Sequence, residues 1–319
     1  MNDFIDKKII LDKLFKYMQN SNECKFCIEK IINPKNQSCK GNIVKAHSIS
    51  NKSMLKSIEN NGHVYLLQPS INGEMLFKKV GISKATTFKG YCSHHDTQIY
   101  KVLDNISSIT IINNEICNLL NLRATAQELY KKIITKQFFQ EKIILIEKIQ
   151  IDNDYRIEFV KGIERAICDL NIIYKKLKEK NFFPYSNFSL NSNNIACTGI
   201  FSPTFNHKGD IINTPDQYLV GDNLNYLFIH VIPINGKSEV ILSAEKKEVL
   251  NYYNFNGFSD KNIFISKLIL NNIENYCFSP QYFESLDSEI QKYIKDISQD
   301  TVLLELPHKE IKDIDFFSP

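Results

Sequence analysis

The residues of this chain best able to do chemistry are its cysteines and histidines, and they are unevenly placed. Four of the seven His (His47, His63, His94, His95) and four of the eight Cys (Cys24, Cys27, Cys39, Cys92) fall in the first 101 of 319 residues. Two short pairs stand out, Cys24-x2-Cys27 and Cys92-x2-His95. Each places two N/S donors on one tight turn, and two such pairs supply the four ligands of a tetrahedral zinc site. The spacing therefore predicts structural Zn²⁺ held by Cys24, Cys27, Cys92 and His95. A rival set is Cys24, Cys27, Cys39 and His47. Under the first set Cys39 is a small packed residue, and His94 is the exposed neighbour of the ligand. Cys117, Cys168, Cys197 and Cys277 lie in apolar runs and read as buried thiols. His63, on a strand-like run, reads as structural.

Charge follows the same asymmetry. Residues 1–101 hold 16 Lys, no Arg and 8 Asp plus Glu, a net +8, so the overall +3 leaves −5 for the rest. A basic, Cys/His-rich segment suggests a metal-organised module that meets a polyanion. Lys in place of Arg suggests charge neutralisation more than bidentate base reading.

Between the two pairs lies Lys45-Ala46-His47-Ser48-Ile49-Ser50, and the block Thr86-Thr87-Phe88-Lys89-Gly90-Tyr91-Cys92-Ser93-His94-His95-Asp96 closes the region. Over residues 22–100, less than a third of the chain, this order resembles the HNH (His-Me finger) nucleases. Their zinc-bearing members run Cys-x2-Cys, a His-Ile segment on a strand, an Asn-containing turn, then a second zinc pair on the final helix. The resemblance implies a treble-clef or ββα-metal module with His47 as general base and Cys92 and His95 as the second zinc pair. It places Asp96 where the family has a metal-binding His, and Thr87 near the position of the Asn. Ala46 stands where the family usually has an acidic ligand. The implied chemistry is phosphodiester hydrolysis, with Mg²⁺ or Mn²⁺ at Asp96 and nucleic acid, DNA rather than RNA, as partner. Apart from the HNH resemblance, the blocks Ala-His-Ser-Ile-Ser, Phe-Lys-Gly-Tyr-Cys-Ser-His-His-Asp and Thr-Gly-Ile-Phe-Ser-Pro resemble a bacterial family that brings no activity with it.

The elements that must position these residues are legible from periodicity. Phe4, Ile9, Ile10, Leu14, Phe15 and Met18 mark an amphipathic helix over 4–19. Residues 21–100 are irregular and too poor in large apolar side chains to form a core unaided. Leu119 to Ile144 reads as one helical stretch. Val160, Ile163, Ile167, Leu170, Tyr174 and Leu177 form a heptad-like seam, predicting a helical hairpin that is scaffold or a homodimer surface. Farther on, Ile195–Phe201 reads as a strand, and two β-branched runs flank the Asn235-Gly236 turn as a hairpin. Helices are predicted over 244–253, 260–274 and 287–296. The fold class is thus α+β: a zinc module (1–105), a helical hairpin (106–183) and a mixed α+β domain (184–319).

Composition excludes several classes. At 43% hydrophobic and 24% charged the chain is not a disordered tail. No run reaches the ~20 apolar residues of a membrane span, and the charged N-terminus lacks a signal-peptide core. These features predict a cytoplasmic location with no membrane partner. The functional expectation is a metal-dependent endonuclease with a role in bacterial defence, gated by a ligand or protein at its C-terminal domain. The alternative is a non-catalytic zinc module binding nucleic acid or protein. A third reading makes the C-terminal domain the active part, with the zinc module as its docking platform.

Overall fold

The computed structural model describes residues 2–35, 38–70, 74–104, 112–142, 153–206, 210–214, 217, 224–253, 260–302 and 311–318. After helix α1 (Asn2–Asn20) and the short α2 (Ile28–Ile32), strand β1 (Ile43–His47) pairs antiparallel with β4 (Thr87–Cys92) as a separate two-stranded sheet. Helix α4 (Ser93–Tyr100) follows β4 directly. Between the two paired strands the chain makes a π-helical turn at Asn51–Leu55, the short α3 (Lys56–Ile58), β2 (His63–Pro69) and β3 (Met75–Gly81).

That intervening hairpin leaves the module. β2 and β3 form one edge of a seven-stranded antiparallel sheet ordered β3-β2-β9-β6-β7-β8-β5, with β5 Tyr185–Leu190, β6 Ile195–Phe201, β7 Leu227–Ile234, β8 Lys237–Ala244 and β9 Tyr276–Phe278. The link from β2 to β9 is the pair Tyr65 and Phe278. The first and last thirds of the sequence therefore share a sheet, and the expected boundary at residue 105 is crossed by 63–81. Sequence periodicity could not reveal this, because the partner strand lies more than 200 residues away.

Alternation along the central strands sorts side chains onto two covered faces. Phe228 and Ile232 pack on the side that holds α5 (Asn114–Gln137), whereas Leu227, Ile229 and Val231 join Ile265, Ile269, Ile294 and Ile297 on the other. Those four belong to α8 (Lys261–Asn272) and α10 (Ser288–Val302). The shorter α7 (Lys247–Asn251) and α9 (Pro280–Ser285) flank them. The helix predicted over 244–253 shrinks to α7, because Ala244 is still paired in β8.

Helix α6 (Asn153–Lys178) packs against α5 as the predicted hairpin. Its seam residues Val160, Ile163, Leu170, Tyr174 and Leu177 are buried within the chain. The seam is thus occupied internally, which removes the ground on which it was read as a dimer surface. Cys168 also departs from expectation: it is exposed, whereas Cys117, Cys197 and Cys277 are buried. Among the described residues no helix is long and apolar enough to cross a membrane.

One polar network ties α5 to the sheet. His230, fully buried on β7, bonds Thr198 Oγ1 through Nδ1 at 2.7 Å and Asn121 Oδ1 through Nε2 at 2.9 Å. Asn121 in turn donates to Ser243 Oγ at 3.0 Å. Burial pushes the imidazole down from 6.5 to about 3, so the folded protein keeps it neutral. Between those values the unfolded chain binds a proton that the folded chain refuses, and stability falls as pH falls through that window. The limit is about 1.4 kcal/mol per pH unit. Urea unfolding at pH 7 and pH 5 should show this loss, and His230→Gln should flatten it.

Candidate functional site

Four donor atoms converge at one end of the two-stranded sheet. Cys27, Cys39, Cys92 and His95 place one ligand atom each within 4.8 Å of one another. His95 Nδ1 lies 3.3 Å from Cys27 Sγ, 3.3 Å from Cys92 Sγ and 3.6 Å from Cys39 Sγ. Tetrahedral zinc with ordinary Zn–S and Zn–N bonds separates S from N by about 3.6 Å. The donor set is one that zinc favours, and the cluster could hold such an ion.

Local structure explains how each ligand arrives. Cys27 caps the N-terminus of α2, and Cys92 ends β4 and caps α4, whose first turn carries His95. Burial pushes the Cys92 thiol up, yet hydrogen bonds from the His95 and Lys40 backbone and from the Cys27 and Cys39 thiols leave it below its ordinary value. A helix N-terminus stabilises a thiolate in just this way. Ser38 Oγ meets His95 Nε2 at 2.8 Å, the outer-sphere contact that fixes the ring with Nδ1 toward the sulfurs.

Three of the four expected ligands are therefore brought together, with Cys39 in the place expected of Cys24. The rival set fails as well, because His47 lies outside the cluster. Cys24 is buried with its thiol 3.5 Å from the Tyr17 carbonyl oxygen. The signal for Cys39 was Cys39-Lys40-Gly41. Gly41 has φ 76°, a left-handed conformation that favours glycine and lets the chain turn sharply behind the ligand. His94 is the spare histidine, its ring edge-on to His95.

A second group of polar residues lies at the opposite end of β1. His47 is the last residue of β1 and pairs across the sheet with Thr87. Its Nε2 contacts the Ile82 carbonyl oxygen at 3.1 Å, which makes Nε2 the protonated nitrogen and leaves Nδ1 as the acceptor. Burial holds its pKa below 6.5, against the Ile82 bond and with help from Arg123. The ring is neutral at pH 7. Thr87 donates to the Lys84 carbonyl oxygen at 3.1 Å and so secures the turn before β4.

Asp96, in the first turn of α4, carries a carboxylate raised by burial, opposed by Arg123 and assisted by Asp104. Arg123 and Asp104 thus act electrostatically on both His47 and Asp96. Sequence reasoning missed both residues, because Arg123 arrives from the middle of α5 and Asp104 from beyond α4.

Buried tyrosines lock these parts together. Tyr91 OH meets Tyr100 OH at 2.8 Å and Tyr174 OH at 2.9 Å, and Tyr174 donates to Glu29 at 2.6 Å. Lys178 pairs with Glu29 at 3.0 Å. Ser48, next to His47, donates to Asn275 Oδ1 at 3.0 Å and so ties β1 to the large sheet. The metal cluster lies at one end of β1 and the neutral imidazole of His47 at the other. No family model, no curated protein and no solved structure matches the chain.

Proposed function

We propose that the chain is a metal-dependent endonuclease of the HNH type, in which zinc at Cys27, Cys39, Cys92 and His95 is structural. The observation that carries this reading is the order β1, β4, α4, with His47 at the end of β1 and Asp96 in the first turn of α4. The HNH resemblance assigns a base and a metal ligand to those two places.

One ligand for a divalent cation is offered by Asp96. Asp96 Oδ1 is buried and has no hydrogen-bond partner among the described residues, and a hard oxygen donor suits Mg²⁺ or Mn²⁺. When bound, such a cation would neutralise charge on a phosphodiester and its departing oxygen. His47 Nδ1 takes a proton from a water molecule, whose oxygen attacks phosphorus. The bond to the 3′ oxygen breaks, and that oxygen takes a proton from solvent. Thr87 holds the turn that keeps β4 opposite His47.

Surface charge supports a nucleic-acid partner. Lys25 lies between α1 and α2, Lys45 on β1 and Lys89 on β4, and Lys25 and Lys45 both depress Lys89 after its burial does. Lys89 donates to the Gln19 carbonyl oxygen, and none of the three forms an ion pair among the described residues. Amines outside ion pairs bind phosphate by releasing counterions. Neutralising all three should weaken DNA binding and lower the slope of log affinity against log salt by about 3; fluorescence anisotropy across a salt series reads both.

The experiment that tests the reading is incubation of zinc-loaded protein with plasmid DNA, and separately RNA, in Mg²⁺ or Mn²⁺. Strand cleavage is expected. A protein that binds nucleic acid and leaves it intact under every condition is the non-catalytic zinc module instead. A defence role and a gating C-terminal domain belong to the same proposal and rest on it.

A further inference from the structure

Arginine is scarce here: three residues against 36 Lys. One of the three, Arg123, is placed where a cation is costly. Its side chain is 4% exposed, and its guanidinium carbon lies 4.3 Å from the centroid of the Tyr100 ring. The anionic partner is Asp104, at 3.6 Å from NH2, a loose contact for a charge-assisted bond. Asp104 is 35% exposed and also accepts from Ser50 Oγ at 3.2 Å. The buried member of the pair is the cation, and the member facing solvent is the carboxylate.

Two buried polar atoms in this region lack partners among the described residues: the acceptor Asp96 Oδ1 and the donor Arg123 Nε. They are of opposite type, yet they do not bond each other. A cation satisfies the first and an anionic oxygen the second. A phosphate carrying a divalent ion satisfies both. Guanidinium suits this task better than ammonium, because it offers two parallel donors to a phosphate.

We propose that Arg123 is a phosphate receptor, and that Asp104 is an internal carboxylate that occupies it until a phosphodiester takes its place. The inference rests on the nuclease reading for the kind of phosphate, but not for the anion site itself. Asp104 then competes with substrate. Its removal frees a receptor, whereas loss of a merely structural ion pair would free nothing.

The test is binding of a short fluorescein-labelled DNA oligonucleotide to the zinc-loaded full chain, in the His47→Ala background so that cleavage plays no part. Asp104→Asn should tighten binding about tenfold, the value of one modest charge-assisted hydrogen bond. Arg123→Gln should weaken binding and cancel the gain from Asp104→Asn when the two are combined. Arg123→Lys, which keeps the buried charge opposite Asp104, serves if Arg123→Gln does not fold, and it too should lose most of the gain. Unchanged or weaker binding by Asp104→Asn overturns the proposal. So does a gain that persists without Arg123, which would be long-range charge alone. Cleavage that survives His47→Ala would sink the nuclease reading and leave this binding result standing.

Discussion

Cys39→Ser should strip the metal from the purified protein and lower its melting point, whereas Cys24→Ala should keep its zinc. The cluster contains Cys39 and not Cys24. A structural zinc contributes about 10–16 kcal/mol in small zinc modules, because the ligands are not assembled in the unfolded chain. Serine is a poor zinc ligand, so most of that contribution is lost. Cys24 is a buried thiol near the Tyr17 carbonyl oxygen, and its truncation costs about 1 kcal/mol of packing. Metal analysis beside a thermal melt separates the two outcomes. Equal zinc loss in both variants would show that the turn bearing Cys24 helps hold the ion.

His47→Ala should reduce cleavage by about a thousandfold, within the usual contribution of a positioned general base. Asp96→Asn should fall in the same range, since it removes the charge that the proposed cation would meet. The acid limb of the wild-type profile should lie below pH 6.5, because burial holds His47 under that value and only the neutral ring accepts a proton. Above pH 7 the rate should be flat with respect to this group. A limb that moves unchanged into the His47→Ala protein would assign the titration to another residue.

Local signals were legible where structure is local. Asn235 and Gly236 adopt φ 52° and 78°, as a tight hairpin turn demands, and β7 and β8 run out on either side. The strand predicted at 195–201 and the helices near 260–274 and 287–296 likewise follow from short-range periodicity. The metal ligands were half legible. Cys92 and His95 are joined by one cap-to-first-turn step, so their spacing is geometry. Cys24 and Cys27 have the same spacing, but only Cys27 caps a helix that aims it inward; Cys24 turns back toward α1. Cys39 is identified by the glycine two places on, a backbone signal and not a ligand-pair signal.

What remained hidden is long-range. Nothing near Gly62-His63-Val64-Tyr65 shows that this strand pairs with Phe278. Nothing near Asp96 points to Arg123, which α5 delivers only because its other face is fixed on the sheet through Asn121 and Ser243. Charge asymmetry foretold a basic module, but its three clustered lysines meet only once β1, β4 and the turn at Lys25 are folded together.

The separation of a structural metal from a reacting histidine is tested most directly by the zinc content of purified His47→Ala protein. One zinc per folded chain, with cleavage gone, is the predicted result. A variant that loses its zinc and its fold would make His47 a metal ligand, and the nuclease mechanism would fall with it.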